Sequence, residues 1–286
     1  MKFTKMHGLG NDFVIMAGED LEGTDPGKAA LMLCDRHMGI GADGLLLFYR
    51  DSSAPVTMRL YNSDGSEAEM CGNGLRCLAK YLFDRKIVEG ISFDVKTGAG
   101  ILTVTVHPSR GIAQEIEVNM GYPRLKRQEI PVEGPGEDRC MDERLQVGDR
   151  IYRITAVNMG NPHCIIFPEN YDALRLREEG RAIEEHPFFP RKTNVEFVKV
   201  HSPSLLEVKV WERGAGETLA CGTGACASLV ASHLTGRSGR SAEVRLPGGS
   251  LHIEWTDRGD IVMRGPAVEV FQGKLHKKMR ASLKKG

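Results

Sequence analysis

Two cysteines occupy matched settings, Cys71 in EMCGNG and Cys221 in LACGTG, each directly before a Gly-x-Gly run that opens a helix-like stretch. A helix start presents unpaired backbone N–H groups and about half a positive charge. Glycine lets that backbone approach a ligand closely. Such a position is expected to lower a thiol pKa and make thiolate accessible near neutral pH. The same amides can hold an anion such as a carboxylate. Two such cysteines facing each other suit the inversion of a carbon centre. One base removes the α-proton, and an acid on the opposite face delivers another. The amides at Gly72, Asn73, Gly222 and Thr223 would stabilise the charge that builds up on the α-carboxylate, so no electron-sink cofactor is needed.

The other five cysteines (Cys34, Cys77, Cys140, Cys164 and Cys226) read as small buried hydrophobes. An odd total argues against a disulfide framework, and neither Cys-x5-Cys nor Cys-x4-Cys is a zinc spacing. No Walker loop, dinucleotide fingerprint or metal-ligand cluster is present, so neither a metal nor a cofactor is expected. Equal numbers of basic and acidic residues, 38 of each, give no reason to expect nucleic acid or a membrane surface as partner. The first residues, MKFTKMHGLGNDFVIM, hold no signal-like apolar stretch, which predicts a cytoplasmic protein.

The polar residues around these motifs have two readings each. Asn11, Asn161 and Asn194 are turn residues or substrate contacts. Asn11 and Asn161 follow glycine at matched places, which favours contact. Glu212 and Arg213 either end a strand in solvent or ion-pair with an amino group and a carboxylate. His163 alone reads as structural. Glu67 and Glu217 read as residues that cap or orient the motif turns.

The elements that must position these groups are written twice. At an offset of 150 positions, LYNSDGSEAEMCGNG (60–74) matches VWERGAGETLACGTG (210–224), Gly10-Asn11 matches Gly160-Asn161, and Leu45–Phe48 matches Val195–Val198. DVKTGAGILTV (94–104) resembles EVRLPGGSLHI (243–253) at an offset of 149, and Val118–Gly121 echoes Val262–Gly265. Each half predicts two strands (2–6 and 12–16; 151–158 and 163–167), then a polar-faced helix (26–36; 172–186). Two more strands follow (45–50 and 56–61; 194–200 and 205–211), then a glycine-started helix (72–85; 222–235). Paired strands close each half (91–97, 101–107 and 113–119; 242–247, 250–256 and 260–264). The helix GTGACASLVASHL is small or apolar nearly all round, which marks a buried helix. The expected fold is α+β: two pseudo-symmetric duplicated domains, each a barrel-like mixed β-sheet around a central helix, with the active site in the cleft between them. The expected halves are 1–121, joined by a returning segment at 266–280, and 122–265, with Tyr122–Asp149 as the linker. The basic end, KLHKKMRASLKKG, reads as solvated.

Several motifs together carry a family resemblance: HGLGNDF (7–13), GIGADG (39–44), YNSDGSEAEMCGNGLRC (61–77), MGNPHC (159–164), TNVEF (193–197) and ERGAGETLACGTGACA (212–227). Over most of its length the chain resembles the diaminopimelate epimerases. These interconvert L,L- and meso-diaminopimelate in the synthesis of lysine and peptidoglycan precursors. The resemblance implies Cys71 and Cys221 as the acid/base pair, with Gly72, Asn73, Gly222 and Thr223 holding the reacting carboxylate. It implies Asn11, Asn62, Asn161, Asn194 and Arg213 gripping the substrate, mainly its distal end, with Glu212 and His163 orienting the reacting amino group. It further implies a homodimer and no cofactor. Where some members carry glutamine in the GIGADG loop, this chain has Gly44, so that side-chain contact is absent or supplied by backbone.

The nearest alternative is a proline racemase or hydroxyproline epimerase relative, whose small cyclic substrate needs no arginine for a second carboxylate. A phenazine-synthesis isomerase on this scaffold would lack the cysteine pair. A thiol–disulfide protein is a further alternative, since two facing low-pKa thiols oxidise readily, which reads here as a liability that inactivates the enzyme. A non-catalytic diamino-acid binder has little use for two Cys-Gly-x-Gly helix starts.

Overall fold

In the first half of the chain, the short turn at Leu9 and Gly10 folds β1 (Lys2–Gly8) back on β2 (Asn11–Ala17). Gly10 has φ +87° and Gly160, at the matched turn, φ +98°, a backbone region that favours glycine. The computed structural model describes residues 1–50, 56–68 and 70–284. Motif position 69 and the last two residues of the basic end lie outside these. After α1 (Pro26–Leu33) come β3 (Gly44–Tyr49), β4 (Val56–Asn62), β5 (Glu67–Ala68), α2 (Gly72–Asp84), β6 (Ser92–Thr97), β7 (Gly100–Ser109) and β8 (Ile112–Asn119).

The second half repeats the plan. Its strands and helices are β9 (Glu143–Val147), β10 (Arg150–Asn158), β11 (Pro162–Ile166), α3 (Leu176–Glu184), β12 (Asn194–Ser202), β13 (Leu205–Glu212), β14 (Gly216–Thr218), α4 (Gly222–Leu234), β15 (Ser241–Leu246), β16 (Gly249–Trp255) and β17 (Ile261–Pro266). The chain then adds β18 (Val268–Lys274) and α5 (Lys277–Leu283).

The duplication extends to strand register. β2 and β3 pair in parallel with Phe13 opposite Gly44, and β11 and β12 do so with His163 opposite Asn194. β3 and β4 pair antiparallel with Leu45 opposite Tyr61, and β12 and β13 with Val195 opposite Trp211. Each of these positions is displaced by the 150 residues found in the sequence. A parallel pair needs a crossover connection, which α1 and α3 supply. In each half the glycine-started helix packs against strands of its own half, α2 on β1, β2, β3, β4 and β7, and α4 on β10 to β13, β15 and β16. α4 is buried from Gly224 to Ser232, as its small and apolar residues require. The fold class is α+β.

By compactness the chain divides into residues 1–118 with 265–286, and residues 119–264. The first boundary falls before the position expected from sequence. Met120 N–H donates to Ile261 O, and Ile261 N–H donates to Gly121 O, which ties 119–121 to the second unit. The expected linker at Tyr122–Asp149 is corrected by the structure. Ile130, Val132, Cys140 and Leu145 lie in the core of the second unit with Ile154, Phe197 and Trp211. The buried Arg127 guanidinium binds Glu133 O and the Glu143 carboxylate. The chain after Pro266 packs on the first unit, and its basic end, expected to be solvated, is so only in part. β18 pairs antiparallel with β1, and Leu275 and Leu283 enter the core of the first unit, while Lys277 and Lys278 face solvent. No helix among the described residues is long and apolar enough to cross a membrane.

Candidate active site

Each cysteine is the N-cap of a thirteen-residue helix. Cys71 precedes α2 with φ −143° and ψ 118°, and Cys221 precedes α4 with φ −120° and ψ 112°. Both caps have extended backbone ahead of the first helical turn, and at Cys221 the sulfur accepts from a first-turn amide.

In the first unit, Cys71 Sγ lies 3.6 Å from Asn11 Oδ1, which also accepts a hydrogen bond from Asn73 Nδ2 at 3.2 Å. Asn73 Oδ1 in turn accepts from the buried Arg76 guanidinium at 2.9 Å, and Arg76 Nε donates to Pro266 O at 3.2 Å. On its far side Asn11 Nδ2 donates to Asp43 Oδ2 at 2.8 Å. Arg36 bridges Asp43 and Asp12, and Lys5 Nζ lies 2.6 Å from Asp12. Burial alone would raise the Asp12 carboxyl, but Arg36 and Lys5 outweigh it and hold the group well below the usual carboxylate range. Asn11 is therefore fixed from both ends beside Cys71. Asn62, at the end of β4, is exposed and donates to Ser66 Oγ at 3.0 Å. Glu67 does not orient the cysteine turn. It pairs with Arg59 through two 2.8 Å contacts.

In the second unit, the Gly224 N–H donates to Cys221 Sγ at 3.4 Å, and Thr223 Oγ1 lies at the same distance from that sulfur. His163 is fully buried, with Nε2 2.9 Å from Asn161 Oδ1 and Nδ1 2.7 Å from Glu196 Oε1. Asn194 is buried and both ends of its amide are used. Nδ2 donates to Pro162 O at 2.8 Å, and Oδ1 accepts from the Arg213 N–H at 2.9 Å. Its role here is to brace the turn after β13. Glu212 accepts from Thr218 Oγ1 at 2.6 Å. The Arg213 guanidinium is exposed and donates to Arg191 O at 3.0 Å. Glu217 is exposed.

The thiol pKa departs from the expectation set by the helix start. Burial, then the Glu212 and Glu196 carboxylates, push the Cys221 thiol well above its ordinary value, against the opposing bonds from Thr223 and the Gly224 amide. Burial, reinforced by the two nearby carboxylates, outweighs the pull of the helix start. Cys34, Cys77 and Cys140, which the sequence marks as structural, are buried and pushed up to about 12.

A sequence model of the diaminopimelate epimerase family matches residues 3–126 and 155–270. The chain belongs to the diaminopimelate epimerase family. The diaminopimelate epimerase of Pelotomaculum thermopropionicum is 51% identical over 275 residues, covering 96% of this chain and 98% of the relative. That of Heliobacterium modesticaldum is 49% identical over 280 residues, covering 96% and 99%. Among solved structures, a hydroxyproline epimerase from Agrobacterium vitis superposes with a TM-score of 0.69 at 16% identity, covering 96% of this chain and 91% of that one. A Bacillus anthracis phenazine biosynthesis protein of the PhzF family gives 0.66 at 15% identity, covering 96% and 99%. At such identities these two share the fold alone.

Within this diaminopimelate epimerase family member, Gly44 opens β3 opposite Phe13 and Asn62. A Cβ there would meet Tyr61 O at 3.0 Å and Leu60 Cδ1 at 3.1 Å, so the position is too tight for an easy side chain. Two acidic residues near the second cysteine motif escape a reading of the motifs. Glu196 lies fully buried against His163, and Glu184 binds Trp211 Nε1 at 2.7 Å and the Gly214 N–H at 3.1 Å. The available signal for Glu196 was an acidic residue inside the otherwise apolar run Val195–Val198.

Proposed function

We propose that this chain epimerises L,L-diaminopimelate to meso-diaminopimelate without an organic cofactor, with Cys71 and Cys221 acting on opposite faces of the α-carbon. The observation that carries the reading is the pair of sulfurs at the N-caps of two helices of equal length, 150 positions apart. Each sulfur supplies a proton-transfer group, and each helix start supplies amides for the α-carboxylate. In the enolate-like intermediate that carboxylate carries extra charge, and the first-turn amides at Gly72, Asn73, Gly222 and Thr223 stabilise it. Proton transfer by a positioned group contributes roughly 10²–10⁴-fold.

One cysteine removes the α-proton while the other, protonated, acts as the acid on the opposite face, and the roles exchange in the reverse direction. Asn11 holds the Cys71 sulfur. Glu212 holds the reacting amino group, with the buried His163 supporting that region through Asn161. Asn161, the exposed Asn62 and the Arg213 guanidinium take the distal end, Arg213 by pairing with the substrate's second carboxylate. Asn194 supports Arg213 through its backbone. The reading includes a homodimeric, cytoplasmic enzyme, supported by the family resemblance, and light scattering tests the first of these.

The test incubates the reduced protein with L,L-diaminopimelate in D2O, alongside Cys71→Ser and Cys221→Ser. Meso product with deuterium at the inverted carbon, lost or crippled in both variants, is the expected result. Absence of both isomerisation and exchange in the folded, reduced protein would reject the substrate, and proline and hydroxyproline would be tried next. Full activity in either variant would reject the two-base mechanism.

A further inference from the structure

Glu196 lies at 0% exposure on β12, a strand whose first five residues are all buried. A carboxylate is almost never fully buried unless paired. Its Oε1 is 2.7 Å from His163 Nδ1, and neither side chain reaches solvent. The same oxygen packs against the first turn of α4. A Cβ at Gly224 would lie 2.6 Å from it, and Gly224 is the residue whose N–H binds Cys221 Sγ. One carboxylate thus touches the histidine on one side and the cysteine's helix start on the other. Among the described residues its second oxygen, Oε2, has no hydrogen-bond partner.

The histidine's two contacts set its proton count. Asn161 Oδ1 is an acceptor, so His163 Nε2 carries a hydrogen. If Nδ1 were bare, its lone pair would face a carboxylate oxygen at 2.7 Å, which is repulsive. A proton therefore lies between Nδ1 and Oε1, whichever atom owns it. Imidazolium with carboxylate and imidazole with carboxylic acid have the same composition, and both are neutral overall. The titratable groups facing the pair are Glu212 from β13, Cys164 from β11 and Cys221 at the cap of α4.

We infer that Glu196 is a positioning residue of the Cys221 half-site, sharing one buried proton with His163 and thereby fixing the His163 ring against Asn161. Burial raises the Glu196 carboxyl, with His163 opposing the rise, which suits a proton held between the two. The shared proton also limits the negative charge beside Cys221. Without it, a bare carboxylate would make each passage of that sulfur through thiolate more costly. The inference rests on the epimerase reading for its catalytic meaning, but the proton itself can be detected without substrate.

The test records ¹⁵N spectra of the histidines in the full-length protein, wild type and Glu196→Gln, with His163 assigned by its loss in His163→Gln. At neutral pH the wild type is expected to show both His163 nitrogens proton-bearing or strongly hydrogen-bonded. In Glu196→Gln, Nδ1 is expected to take the shift of a bare ring nitrogen. Turnover of diaminopimelate should fall at least about tenfold in kcat while KM changes less than about threefold, and Glu196→Asp should recover part of kcat. A bare Nδ1 in the wild type overturns the inference without any variant. So does a Glu196→Gln protein with unchanged His163 shifts and unchanged kcat. The expected spectra with no turnover by the wild type would leave the shared proton standing and reject the epimerase function.

Discussion

Gly224 and Glu196 are in mutual contact through a space that only glycine leaves open: a Cβ at 224 would lie 2.6 Å from Glu196 Oε1 and 3.3 Å from Cys221 Cβ. The second glycine of CGTG therefore serves packing under the cysteine as well as access to a ligand. Gly224→Ala should force the buried carboxylate away from His163. Such overpacking costs about 1–3 kcal/mol, read as a lowered urea midpoint. Activity should fall further than that stability loss explains. A variant with wild-type midpoint and turnover would show that the carboxylate has room to move.

Asp43 holds Asn11 beside the other sulfur. Asp43→Ala leaves Asn11 Nδ2 without that acceptor and removes one partner of Arg36. Loss of one such hydrogen bond corresponds to about 1.4 kcal/mol, or about tenfold in kcat/KM. Because Asp43 is half-exposed, the effect on thermal stability should be small. Steady-state kinetics set beside a melting curve separate the two.

Arg213 presents its guanidinium to solvent while its backbone is held by Asn194. Arg213→Lys keeps the charge but loses the planar fork suited to a carboxylate. KM for diaminopimelate should rise about 10–100-fold, with kcat reduced less. An unchanged KM would remove Arg213 from the distal subsite.

Alkaline pH should destabilise the fold. Cys34, Cys77 and Cys140 keep their protons in the folded protein to about 12, against an ordinary value of 9.0. Between those values the unfolded chain has lost protons that the folded one retains. Its stability is thus fully present below 9.0 and declines as pH rises towards about 12. Urea midpoints measured one unit below and one unit above 9.0 should differ in that direction. Replacing Cys77 by alanine should weaken the dependence.

The repeat was legible down to register, because an offset that aligns Gly10-Asn11 with Gly160-Asn161 also aligns the strand pairs built on them. Both cysteine caps were legible too, since Cys-Gly-x-Gly is a local signal. Long-range electrostatics were not. The helix start argues for a lowered thiol pKa at Cys221, and only the fold buries that thiol and brings Glu212 and Glu196 near it, which reverses the shift. Glu196 stands out in sequence only as an acidic residue in an apolar run, and its partner His163, distant along the chain, is supplied by the fold. The segment 122–149 departs from its expected linker role for a related reason. Its prolines and glycines signal turns, while Ile130, Val132 and Cys140 between them are core residues.

The return of β18 to β1 has a consequence for synthesis on the ribosome. Residues 119–264 form one unbroken stretch and can fold as soon as they emerge. The first unit is made first but completed last, because β1 waits for Val268–Lys274 to cover it. Until then β1 leaves one row of backbone groups unpaired, an open edge that nascent chains are prone to join. Order of appearance and order of completion are thus reversed between the two halves of this chain.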